Sequence, residues 1–293
     1  MKRLGELPVT IRGVLWMVLQ AATITAMIAS VRFVSTTIPP HEIAFFRGAF
    51  GLVFLLPWLV RTGRAAFTPA LPGIVMLRSA FAVAGMMFWF VAIAAMPISD
   101  AVAVAFTAPI FVIVGAGLLL REAVGARRGI VAVVGFCGAA IIIRPGAGTI
   151  DPMVAFVLLS ALSNAATQLT TRRLAGAATG GQVTLYMNLL LLPVALVFAV
   201  PGWVTPAWAD LPWLCAVGVF GTAAHIFLTR AMSATDASVI SPIDFARLPF
   251  AALYGWLLFG ETSDSWTWVG AGVIFVAITY ITRHESRSRG RGT

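Results

Sequence analysis

Read along its length, the chain alternates long apolar segments with short polar or proline-containing breaks. Ten apolar segments fall at about residues 13–35, 42–60, 72–95, 99–120, 128–143, 152–171, 182–200, 211–232, 237–259 and 266–282. They have about the length at which a helix crosses the hydrocarbon core, roughly 20 residues at 1.5 Å rise. The breaks carry turn chemistry: Pro39-Pro40, Pro69 to Pro72, Pro97, Arg144-Pro145-Gly146, Gly180-Gly181, Pro201-Gly202 and Pro206. Connections are short and no segment is left over for a soluble domain. A backbone in lipid must satisfy its own hydrogen bonds, so the pattern predicts an all-α polytopic membrane protein of ten transmembrane helices.

Composition agrees with the pattern. Of 293 residues 60% are hydrophobic and 11% charged, against roughly 45 to 50% and 25% in soluble domains. The first apolar run, from Gly13, is followed by many others, so the N-terminus does not read as a secretory signal alone. Cys137 and Cys215 lie inside apolar runs without His, Cys or carboxylate neighbours, as packing thiols do, and no metal or other cofactor is expected.

Charge adds orientation. With the N-terminus in the cytoplasm, the inner side collects Lys2, Arg3, Arg12, Arg61, Arg64, Arg127-Arg128, Arg172-Arg173 and the Arg-rich tail. The outer side receives Arg32 and Arg144. This is the positive-inside asymmetry, and an even number of spans returns the C-terminus to the cytoplasm of a cell (inner) membrane. The net charge of +9 is mostly orientation, and the tail ESRSRGRGT reads as a solvated inner-leaflet segment rather than a nucleic-acid arm.

One stretch occurs twice. Ala95 to Glu122 opens with Ala-Met, places Asp100-Ala101, runs on as an apolar segment broken by a proline and closes on a glutamate. Ala231 to Glu261 does the same around Asp236-Ala237, with three extra residues. Beyond each glutamate a glycine, Gly129 or Gly270, begins another apolar segment. A long internal period points to duplication. The halves are residues 1–145 and 146–293, with five predicted spans each. An odd number places the second half upside down relative to the first, and the loops agree: REAVGARR is basic and GETSDSW acidic. Inverted five-helix repeats are a signature of transporters whose halves rock about a central site.

The motif Ala-Met-Pro-Ile-Ser-Asp-Ala (95 to 101), Pro109, Glu122, the second copy ending PFAALYGWLLFGE with Gly270 beyond, and Arg47 in the second span resemble the EamA family of drug/metabolite transporters. The resemblance covers nearly the whole chain. It implies ten helices, cytoplasmic termini, a central cavity between the halves and peripheral fifth and tenth helices. Among relatives, aromatic amino-acid exporters look like the nearest functional type. The charged pair Asp244 and Arg247 departs from the general family pattern.

Candidate site residues are the polar groups at membrane depth, where an ionisable side chain is costly and faces a partner or a water-filled cavity. Asp244 lies well inside the ninth span and Arg247 follows at i+3, so the two can pair, either as a structural staple or as a substrate or proton site. Ser241 and Pro242 lie one turn earlier. His225, in the middle of the eighth span, is either a proton relay or an interhelical hydrogen-bonding group. In the sixth span Ser160, Ser163, Asn164, Thr167 and Gln168 form one polar stripe, a cavity wall or packing glue. Gln20 and Thr23 share a face of the first span. Arg78 and Arg47 lie near span ends and read as topological. Phe81 and Trp89 of the third span are the deeper aromatics and suit the apolar wall of a site for an amphipathic organic solute. Their alternative is a lipid-facing position.

Catalytic motifs are lacking. His41-Glu42 begins like a zinc-protease motif, but Phe45 stands where the second histidine is needed. There is no G-x-S-x-G elbow and no Walker loop, so the chain needs neither catalytic residues nor an ATPase subunit. The expected function is secondary export of small amphipathic metabolites, with amino acids, aromatic ones first, as substrates and protons a candidate coupling ion. A channel-like facilitator or importer on the same scaffold is the alternative, and a polytopic enzyme a third. Expected partners are the solute and the lipid bilayer, with no nucleic acid.

Overall fold

A computed structural model describes residues 9–119, 126–143, 151–174, 177–234 and 243–289. The first half contains α1 (Val9–Val34), α2 (Pro40–Thr62), α3 (Pro72–Ala95), α4 (Ile98–Ala105), α5 (Ala108–Leu119) and α6 (Ala126–Ile143). The second contains α7 (Met153–Arg173), α8 (Gly180–Ala199), α9 (Leu211–Ala234), α10 (Arg247–Phe259) and α11 (Ser265–Arg289). Seven candidate spans are long and apolar enough to cross a membrane. Three shorter apolar helices, Gly129–Ile143, Arg247–Phe259 and Ser265–Tyr280, fall on the remaining predicted segments.

Local sequence sets the ends. Pro40 and Pro72 open α2 and α3 at the first helical position, where a missing N–H costs nothing. Thr179 and Gln182 form a reciprocal capping box on α8. Gly260 closes α10 with φ 65°, a left-handed conformation that a side chain disfavours. His41, one residue ahead of the second predicted segment, lies in the first turn of α2, with its ring 5.6 Å from that of Phe198.

The fourth predicted span is not one helix. It breaks at Phe106-Thr107, just ahead of Pro109, which thereby sits near the start of α5, where its missing N–H is harmless. The second half breaks in a matching place, at Phe245-Ala246 before α10. Phe106 and Phe245 stack on each other, centroids 4.0 Å apart and planes 11° apart.

Helices of one half pack mainly on helices of the other: α1 on α9, α3 on α7, α2 on α8, α4 on α10 and α6 on α11. Along α2 and α8, Gly48 faces Leu191, Gly51 faces Asn188 and Trp58 faces Gly181, so the two run antiparallel. At the α6–α11 crossing a Cβ on Gly138 would stand 2.9 Å from the Gly270 carbonyl oxygen, and one on Gly270 2.6 Å from that of Gly138. Gly138 also meets Ile274 and Gly270 meets Ile142, a reciprocal contact that only glycine allows at this backbone separation. The main apolar core, with Phe90, Ile93, Ile98, Leu191 and Leu214 fully buried, joins both halves.

Candidate functional site

Three groups of predicted site residues are distributed around the junction of the halves. The first lies on α3 and α7. Arg78 donates from Nε to Thr171 Oγ1 at 3.3 Å, Gly85 rests against Ser163, and Phe88 meets Phe156 edge-on at 6.1 Å. Phe81 falls on the same face of α3, three residues past Arg78 and four before Gly85, and is half-buried. Trp89 is half-buried against the main core.

The polar stripe of α7 is divided between packed and exposed side chains. Ser160 and Thr167 are buried, Ser163 packs on α3, and Asn164 and Gln168 are exposed. Asn164 Nδ2 donates to Ser160 Oγ at 3.4 Å. Helix contact therefore accounts for the serine edge of the stripe, while the two amides stay exposed.

The second group lies where α1, α2 and α9 meet. Gln20 is 5% exposed and its Oε1 has no hydrogen-bond partner among the described residues. Thr23 bonds back to the Leu19 carbonyl at 2.6 Å, which occupies its donor. His225 is exposed on α9, and the charges of Arg47 and Arg78 both reach it. Trp16 stacks on Phe227 at 5.5 Å, with the Arg230 guanidinium over the Trp16 ring.

Asp244 and Arg247 form the third. Arg247 Nε donates to Asp244 Oδ1 at 2.7 Å and Nη2 to Oδ2, so the pair is bidentate, and both side chains remain partly exposed. Its guanidinium lies 5.8 Å from the Phe106 ring, beside the Phe106–Phe245 stack, and Phe275 meets Phe245 edge-on. Asp244 is helical and stands just before the Phe245-Ala246 turn, so it and Arg247 face each other across a break rather than along an unbroken helix. Ser241 and Pro242 lie outside the described residues.

Sequence reasoning missed a contact layer at one end of the molecule. Arg32 pairs with Glu261 at 3.5 Å and donates to the carbonyls of Ile93 and Ala94. Glu261 Oε2 in turn accepts the Ile98 N–H at 3.0 Å, ahead of which the chain enters α4. Thr267 donates to Asp100 Oδ1 at 2.8 Å, Thr37 to Asp210 Oδ1 at 2.9 Å, and the Val204 N–H to the buried Glu42 at 3.1 Å. All of these except the Arg32 carbonyl contacts tie one half to the other. The only sequence signal was the outer position of Arg32 and the glutamate closing the second repeat.

Comparison with known proteins fixes the family. The model of the EamA-like transporter family matches residues 11–144 and again 151–283. The chain belongs to the EamA-like transporter family. Riboflavin transporters of Rhizobium johnstonii and Vibrio cholerae are 34% and 31% identical to it, over 94% and 96% of this chain and 92% and 96% of theirs. An S-adenosylmethionine uptake transporter of Rickettsia prowazekii is 27% identical over 95% of both chains. The pseudopaline exporter of Pseudomonas aeruginosa is 30% identical over 92% of this chain and 96% of its own. None of these EamA-like relatives is named an aromatic amino-acid exporter, so that subtype gains no support. Their names make this a relative of metabolite transporters.

Proposed function

We propose that this EamA-like protein is a secondary transporter of a flat, aromatic, hydrogen-bonding metabolite, with riboflavin the first candidate. The observation that carries the reading is near full-length similarity to two riboflavin transporters. The half-buried rings of Phe81 and Trp89 on α3 and the exposed amides Asn164 and Gln168 on the adjacent α7 fit it. A fused heteroaromatic ring offers faces for the former and carbonyl and N–H edges for the latter.

Transport proceeds by alternating access between two inverted five-helix halves, in a cell membrane with both termini cytoplasmic. Antiparallel α2 and α8, the reciprocal α6–α11 crossing and the Phe106–Phe245 stack at matching breaks support the inversion. The Arg32–Glu261 layer is then an outer closure that each cycle must open.

A second reading, export of a zwitterionic amino acid coupled to protons, is favoured by one observation: the partly exposed Asp244–Arg247 pair, whose two charges match an α-amino acid's.

Expression in a riboflavin-auxotrophic bacterium that lacks its own flavin uptake tests the first reading. Growth on riboflavin too dilute for the parent strain is expected, with accumulation of the labelled vitamin. Protein present in the membrane without either effect would exclude riboflavin, and export of a labelled aromatic amino acid by the same cells would favour the second reading.

A further inference from the structure

We infer that Arg47 anchors a pair of hydrogen-bond acceptors on the transported solute, either the carbonyl edge of a heteroaromatic ring or a carboxylate; the inference rests on the metabolite-transporter reading above. Arg47 is the eighth residue of α2, about 10 Å along the helix at 1.5 Å per residue, and only 5% exposed. Position alone suggests a snorkelling topological arginine. The structure instead turns its side chain inward against α9. A Cβ on Gly221 would stand 3.4 Å from Arg47 Nε and 3.6 Å from Nη2, so the guanidinium lies within van der Waals reach of the α9 backbone.

A structural arginine at this depth normally has an acceptor for its planar set of donors. Among the described residues Arg47 Nε has no hydrogen-bond partner, and the ion pairs described, Arg32–Glu261 and Arg247–Asp244, lie elsewhere. One helical turn beyond Gly221 on α9 stands the exposed His225, which the charges of Arg47 and Arg78 both reach. On the α1 side Gln20 adds a second buried polar atom, Oε1, without a partner among the described residues. Arg47 therefore stands between α2 and α9 as a buried cation with unspent hydrogen-bonding capacity. An acceptor pair meets a guanidinium through two parallel hydrogen bonds, a geometry that a lysine ammonium cannot reproduce.

The test uses purified full-length protein, wild type and the variants Arg47→Met and Arg47→Lys. Each is titrated with riboflavin, which carries ring carbonyls and no charge, and with indole-3-acetate, which carries a carboxylate; melting temperatures are measured alongside. Arg47→Met should melt no lower than wild type, because it removes an unpaired buried cation, yet bind the recognised probe about tenfold or more weakly, the size of one charge-assisted hydrogen bond. Arg47→Lys should bind the recognised probe nearly as weakly as Arg47→Met, because an ammonium keeps the charge but not the paired donors. Binding of indole-3-acetate that depends on Arg47, with no binding of riboflavin, would sink the flavin reading and uphold the anchor. Unchanged affinity of Arg47→Met for both probes, or a large fall in melting temperature with affinity intact in the folded fraction, would overturn it. So would a wild-type protein that binds neither.

Discussion

Replacing Glu261 by glutamine should loosen the closure at the Arg32 end without unfolding the protein. The amide oxygen can still accept the Ile98 N–H, now 3.0 Å from the carboxylate, but the charge facing Arg32 at 3.5 Å is gone. The side chains of Arg32 and Glu261 are 23% and 14% exposed, so the pair lies between a surface bridge, worth about 0 to 1 kcal/mol, and a fully buried one, whose breaking costs about 3 to 5 kcal/mol. Solvent screening and the two carbonyls that keep holding Arg32 bring the expected loss to about 1 to 2 kcal/mol. If the layer is a gate, that loss falls on the closed state alone and raises the open-to-closed ratio about five- to thirtyfold. A reporter cysteine at the buried Ser99, in protein lacking Cys137 and Cys215, reads this as the rate of modification by a membrane-impermeant thiol reagent. The expected result is faster labelling in Glu261→Gln by that factor, with the melting temperature little changed. Equal rates in the two proteins would refute the gate, and equal rates with a lower melting temperature would make the pair a plain structural bond.

Cysteines at Arg127 and Ser263 should react with such a reagent from opposite sides, the first from inside and the second from outside; same-side labelling would remove the inverted repeat. Trp89→Ala should raise KM for aromatic solutes about threefold to tenfold, the size of one aromatic pairing, and change it less for aliphatic ones; equal losses measured by competition uptake would indicate general destabilisation. Replacing Asp244 by Leu together with Arg247 by Met separates a staple from a clamp: a clamp predicts folded protein that no longer binds a zwitterionic solute, whereas transport at the wild-type rate would take both residues out of the site.

The helices were legible because membrane spans need long apolar runs, and every predicted segment meets a helix over its described residues. Their breaks were less so. The fourth segment stops at Phe106-Thr107, two residues ahead of Pro109, whereas Pro57 and Pro193 lie inside unbroken α2 and α8, so a proline by itself does not announce a break. Nothing in the local sequence announces that Phe106 will stack on Phe245, 139 positions away, since that contact exists only once the halves meet. Arg47 misled for a related reason: distance from a span end says how far a side chain can snorkel, not whether it turns inward against another helix, as Arg47 does against Gly221 of α9. The α7 stripe was correctly polar, but its division between Ser163, which packs on Gly85, and the open amides of Asn164 and Gln168 depends on where α3 lies. Substrate type was the least legible, because the shared repeat motif shapes helices and turns rather than the cavity wall.

Flux through the purified protein in sealed vesicles tests the central claim most directly. With labelled riboflavin outside, we expect uptake that saturates, that is competed by unlabelled riboflavin and that returns the solute chemically unchanged from the lumen. Flux no greater than in empty vesicles across riboflavin, S-adenosylmethionine and the aromatic amino acids, or recovery of the solute as a new chemical species, would contradict the transporter account.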